Sequence, residues 1–138
     1  MKKLFSSLLV LVFAQLGLSQ NTDLGSIITP TGNIFCRVEK IAGSTLLTCQ
    51  VSQSTAVIPP KPKDCNLEWD YRFLMGERSK PERACYGDVL YSPSLKRLEY
   101  GQTRKIAGFT CDLTTARLRC VNLDKHGFEL SKAVQKLF

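Results

Sequence analysis

The only side chain in this chain whose ordinary titration range straddles neutrality is His126. An imidazole of that kind can act as a general acid or base. Asp124 and Glu129 flank it, and Arg117 and Arg119 share the outward side of the segment before it. A histidine, carboxylates and arginines could together hydrolyse a bond, but no motif places them side by side. His126 is therefore a weak catalytic candidate, and its everyday role is a turn between two strands. Glu68 and Asp70 flank Trp69; on a strand both carboxylates would turn to one face, an arrangement that can bind or cleave sugars. The commoner outcome is a solvated carboxylate face whose aromatic enters the core. There is no Gly-x-Ser-x-Gly elbow and no glycine-rich phosphate loop. The expectation is a protein that is not an enzyme.

The stronger binding signal is basic. Arg104, Lys105, Arg117 and Arg119 gather late in the chain with Lys96 and Arg97, against Glu99 and Asp112, and Tyr100 stands among them. If adjacent strands bring the arginines together, the patch would take phosphates or carboxylates, which guanidinium binds bidentately. The alternative is a mixed-charge solvated face.

Six cysteines, Cys36, Cys49, Cys65, Cys85, Cys111 and Cys120, define the scaffold. An even set in an exported chain implies disulfides, with 15 possible pairings for six cysteines. Strand alternation narrows these. Pairing Cys111 with Cys120 across a hairpin sets Leu113 opposite Leu118 on the same face and Asp112 opposite Arg119 on the other. Pairing Cys36 with Cys49 sets Ile34 opposite Val51 and Val38 opposite Leu47, with Ala42-Gly43 in the turn. Cys65 with Cys85 follows by elimination. There is no Cys-x-x-Cys pair and only one histidine, so no metal and no cofactor is expected.

These residues need strands to position them. Segment 33–52 reads as one stapled hairpin. Segment 54–64 carries Pro59-Pro60 and Pro62 and should run extended. The alternation Trp69, Tyr71, Phe73 suits a strand, as does 84–91 with a turn or bulge at Gly87-Asp88. Segment 98–113 reads as a longer strand broken at Tyr100-Gly101, with 118–123 as its partner. Phe128-Glu129-Leu130 begins a last strand, followed by a short C-terminal helical turn with Ser131 as N-cap. The expected fold is mainly β, a small antiparallel sandwich or barrel of stapled hairpins. Phe35-Cys36 and Leu47-Thr48-Cys49 echo Phe109-Thr110-Cys111 and Leu118-Arg119-Cys120. That is either a duplicated three-strand unit or the common look of any cross-linked hairpin.

The chain opens like an export signal. Lys2 and Lys3 precede a mostly apolar run, and Gly17 and Ser19 put small residues before a cut at Gln20. The expected organisation is a signal peptide at 1–19 and one disulfide-stabilised β domain at 20–138, with no transmembrane segment in the mature chain. Lys2 and Lys3 supply two of the net +7 charges, leaving +5 on the mature domain. A moderate positive balance favours anionic partners, or simply keeps a small domain soluble.

Thr31-Gly32-Asn33-Ile34-Phe35-Cys36, Asp64-Cys65, Cys85-Tyr86-Gly87-Asp88, Leu98-Glu99-Tyr100-Gly101, Gly108-Phe109-Thr110-Cys111, Leu118-Arg119-Cys120-Val121-Asn122 and His126-Gly127-Phe128-Glu129-Leu130-Ser131 follow one another in a fixed order. As an ordered set they resemble a family of small secreted bacterial proteins of unknown function, common in actinobacteria. Lys125 stands where that family commonly has glycine, and Glu68-Trp69-Asp70 replaces a more usual Asp-Trp-Gly. The resemblance implies an exported, disulfide-linked domain and carries no activity. The expected function is a non-enzymatic binding or interaction protein at the cell envelope, secreted or otherwise extracytoplasmic. Its expected partner is an anionic envelope polymer or a secreted protein rather than nucleic acid. The alternatives are a small secreted hydrolase using His126, or an inhibitor of a foreign secreted enzyme acting through the charged 76–83 loop.

Overall fold

Every second residue of β2 (Ile34–Ile41) from Ile34 to Val38, and of β3 (Ser44–Val51) from Leu47 to Val51, is buried, which is the mark of a strand with one face in a core. The computed structural model describes residues 21–138. The expected export segment 1–19 and the cut before Gln20 lie outside the described residues. With β1 (Thr22–Ile28), β4 (Arg72–Gly76) and β5 (Glu82–Arg83), these strands form an antiparallel sheet in the order β1-β2-β3-β4-β5. A second antiparallel sheet follows in chain order: β6 (Thr103–Ile106), β7 (Phe109–Leu113), β8 (Leu118–Val121), β9 (Gly127–Leu130) and β10 (Gln135–Leu137). The protein is mainly β, and the two sheets pack together as a small sandwich.

The second sheet repeats the first. Cys36 faces Cys49, and the next residue in that row is Phe73; Cys111 faces Cys120, and the next is Phe128. Disulfides join Cys36 to Cys49 and Cys111 to Cys120, with Cα–Cα distances of 4.1 and 4.0 Å. Phe73 and Phe128, at matching positions, meet between the sheets with ring centroids 6.4 Å apart. The repeated unit is thus five strands rather than three. Around these rings the core gathers Ile27, Leu47, Met75, Leu98, Phe109 and Leu118, all fully or almost fully buried. Burying side chains of this kind contributes about 1.5–3 kcal/mol each, the main force closing the sandwich. Each bridge adds roughly 2–4 kcal/mol by restricting the unfolded chain.

The third disulfide, Cys65–Cys85, lies outside the sheets and closes a flap. Segment 84–91 carries no strand; apart from a bridge between Tyr86 and Glu68 it is irregular. It covers the outer face of the first sheet, where Phe35 packs edge-on against Tyr91.

Three other sequence expectations are corrected. Segment 98–113 is not one strand but a turn at Tyr100-Gly101 and then the β6–β7 hairpin, which reverses at Ala107-Gly108. β4 begins at Arg72, so Trp69 and Tyr71 precede it. The chain does not end in a helical turn: Ser131 opens the tight β9–β10 turn, its Oγ accepting the Val134 N–H at 3.0 Å. That bond is the one a helix N-cap makes, which is why the residue reads as a cap.

Candidate functional site

The four basic candidates do not share a face. Arg104 is used by the fold: its guanidinium donates to the carbonyls of Ser26, Lys96 and Arg97 at 2.8, 3.0 and 2.9 Å. It clasps β1 to the approach to β6, beside a shallow depression of about 470 Å³ that Lys96 and Arg97 also line. Lys105 and Arg119 lie on the outward face of the second sheet. The row through Arg119 runs Asp112, Arg119, Glu129, Lys136, alternating in sign. Arg119 pairs with Glu129 at 3.4 Å and lies over the Phe138 ring. Arg117 bonds Asp112 at 2.6 Å.

His126 sits in the β8–β9 turn, half-buried. Buried Asn122 holds the turn: its Oδ1 accepts the N–H groups of Asp124 and His126, and its Nδ2 donates to the carbonyls of Gly76 and Ser79. The neighbouring carboxylates are engaged elsewhere, Asp124 with Arg78 at 2.8 Å and Glu129 with Arg119. The Glu68 and Asp70 carboxylates both act on Tyr86, each raising its pKa. Asp70 accepts the Tyr86 hydroxyl at 2.7 Å, while Glu68 makes its bridge to Tyr86 through the backbone. Among the described residues no three of His, Cys, Asp and Glu are grouped to hold a metal ion.

Sequence reasoning missed a polar network under the flap. Arg72 is buried, lies 3.7 Å from the Tyr86 ring centre, and donates to Gln50 Oε1 and to Asp88. Burial, aided by the hydrogen bond to Asp70, pushes the Tyr86 hydroxyl up to about 12. Nearby, Arg83 stacks over Phe73, and desolvation lowers its pKa. The arginine within the aromatic run Tyr71-Arg72-Phe73 was the available signal, since strand alternation alone puts its side chain opposite to the core.

Sequence reasoning also missed a groove at one end of the sandwich, of about 490 Å³. It lies at the end of β8 and β9 opposite to His126. Its walls are the β1–β2 turn with Thr31 and Asn33, the end of β3 with Ser52 and Gln53, the β7–β8 turn with Thr114, Thr115 and Arg117, and the β9–β10 turn with Lys132. Half-exposed Tyr100 stands beside them. Each wall is pinned. Asn33 Oδ1 accepts the Gln53 N–H and its Nδ2 donates to the Gln53 carbonyl. Thr114 Oγ1 accepts from Ala116 and Arg117. The Lys132 carbonyl accepts from Thr55 and Ser54, and the Gly101 N–H ties the Tyr100 turn to the Leu113 carbonyl at 2.7 Å. Two cations, hydroxyls and amides line the groove, and no carboxylate does. Of the basic residues weighed from the sequence as binders this site takes up Arg117, and with it Tyr100, which the sequence places among them.

Fold and site together define a disulfide-stapled β sandwich with a preformed groove at one end. The chain belongs to the Family of unknown function (DUF6636), whose model matches residues 4–138. No curated protein and no solved structure matches it significantly.

Proposed function

We propose that this protein is an exported, non-enzymatic binding domain acting at the cell envelope, and that its family is one of small secreted bacterial proteins common in actinobacteria. The end groove is the observation that carries this reading. It is concave, sized within the roughly 300–1,000 Å³ of small-ligand sites, and built on turns that the sheets hold still. Three disulfides and no free cysteine among the described residues point to an oxidising compartment outside the cytoplasm. Among those residues no helix is long and apolar enough to cross a membrane. The net positive charge and the cations of the groove suit an anionic partner, an envelope polymer or a secreted protein.

The test is cosedimentation of the mature domain with purified cell envelopes at low and high salt. Binding that weakens with salt, and weakens further in Lys132→Ala, is the expected result. No binding at either salt overturns the envelope reading and turns attention to enzyme and inhibitor assays, beginning with His126→Ala.

A further inference from the structure

We infer that the end groove is a saccharide site whose ligand carries an anionic group, a uronate, sulfate or phosphate. This rests on reading the groove as the binding site and names what enters it. The groove exposes polar and apolar surface in comparable amounts, although the apolar residues of its floor, Ile34, Leu113 and Leu118, are at most 6 % exposed. A ligand that fills it must offer both kinds of surface, as a sugar does with its hydroxyls and its C–H faces. Groups open to it are the Gln53 side-chain amide, the Thr115 hydroxyl and the Tyr100 hydroxyl, none of which has a side-chain hydrogen-bond partner among the described residues. Neutral donor–acceptor groups of that kind match sugar hydroxyls. The Tyr100 ring offers a flat apolar face on which the C–H side of a sugar ring can rest.

The charge argument is separate. Lys132 has no ion-pair partner among the described residues, while its carbonyl is fixed by Thr55 and Ser54, so the ammonium swings from a rigid base. Arg117 gives one nitrogen to Asp112, a residue outside the groove lining, and its other donors have no partner among the described residues. Lys132, without an ion-pair partner among the described residues, and Arg117, with donors to spare beyond Asp112, favour an anion through charge-assisted bonds. A peptide suits the groove less well. The lining comes chiefly from turns and strand ends rather than along an open strand edge, so there is no ladder for an extended chain to join.

The experiment is an array of neutral, uronate, sulfated and phosphorylated oligosaccharides, with acidic peptides printed beside them, probed with the mature domain. Binding confined to acidic saccharides is expected. Lys132→Ala and Arg117→Ala should each weaken it about tenfold to a hundredfold, the loss of one charge-assisted bond. Tyr100→Ala should weaken it as well, and Lys105→Ala, on the outward sheet face, should leave it unchanged. Equal binding of neutral sugars, binding to the peptides alone, no binding, or acidic-sugar binding indifferent to Lys132 and Tyr100 each overturns the inference. Envelope cosedimentation separates the two ideas. If envelopes bind but the array is silent, the envelope reading stands and the saccharide falls. If the array responds but envelopes do not, the saccharide stands and the envelope reading falls.

Discussion

Where the first sheet carries Arg72, the second carries Gly127. Both residues precede the core phenylalanine, Phe73 or Phe128, that follows the cystine in its row, so the two positions correspond. Around them the repeated units diverge. Between β3 and β4 the chain makes the long excursion 52–71, and with 84–91 it forms a flap closed by Cys65–Cys85 over the outer face. Between β8 and β9 the connection is only 122–126, and the outer face stays open with a ladder of alternating charges. A covered face can hold a buried guanidinium if its donors are met. An open face has no such need, and its position is filled by close backbone packing against the C-terminal residue.

That difference is sharpest in substitutions at the two corresponding positions. A Cβ at Gly127 would lie 2.0 Å from the Cys120 carbonyl oxygen and 3.0 Å from the Phe138 ring. A backbone oxygen cannot step aside as a side chain can. Gly127 also exchanges two hydrogen bonds with Phe138, at 2.8 and 2.9 Å, so a shift there opens the end of the β9–β10 hairpin. Gly127→Ala should cost about 3 kcal/mol, the upper part of the overpacking range, read as a lower urea midpoint. An unchanged midpoint would mean that the two strands do not approach so closely.

Arg72→Ala should cost less, about 2 kcal/mol, because it removes charged hydrogen bonds to Gln50 and Asp88 together with the contact on Tyr86. Arg119, the half-exposed arginine of the open ladder, provides the contrast. Its pair with Glu129 is solvated on both sides, so Arg119→Ala should cost less than about 1 kcal/mol. Equal losses at the two arginines would erase the distinction between a covered and an open face.

Tyr86 tests the covered face by titration. Its hydroxyl is raised from 10.0 to about 12, chiefly by burial and then by the bond to Asp70. The folded state therefore prefers the neutral phenol more than the unfolded chain does. Stability from this group is complete below pH 10 and is lost as pH climbs towards 12, where the folded group itself ionises. Tyrosinate absorbance should show one late step near pH 12, absent in Tyr86→Phe, with a shallower loss of stability between pH 10 and 12 in that variant.

Much of the sheet framework was legible in the sequence because a strand repeats every second residue. Fixing Cys36 opposite Cys49, or Cys111 opposite Cys120, determines the partners of Ile34, Val38 and Leu113 without further information. The errors fell where one local signal serves two structures. Ser131 makes the same hydroxyl bond in a tight turn as in a helix cap. Ala107 turns the β6–β7 hairpin at φ 51°, a left-handed backbone that alanine rarely announces. The groove was illegible for a different reason. Asn33, Gln53, Tyr100, Arg117 and Lys132 come from five separate stretches of chain, and only the packing of two sheets brings them to one end. Arg104 and Arg119 drew attention by their charge, and the fold employs one on carbonyls and the other in a solvated ladder.

The smallest expected effect lies in the short connection that replaces the flap. Lys125 adopts φ 63°, in the left-handed region, where a side-chain-bearing residue pays about 1–2 kcal/mol through its Cβ. The turn is otherwise firmly held, by Asn122 and by the Leu123 N–H on the Glu77 carbonyl, so the strain is imposed by its surroundings. Lys125→Gly removes the Cβ penalty but loosens the unfolded chain, which offsets part of the gain. The net outcome should be a stabilisation of about 0.5 kcal/mol, seen as a small rise in Tm. A fall in Tm would show that the lysine side chain contributes more than its backbone costs. The short connection would then depend on a side-chain contact, as the flap does at Arg72, and the two units would differ less than their lengths suggest.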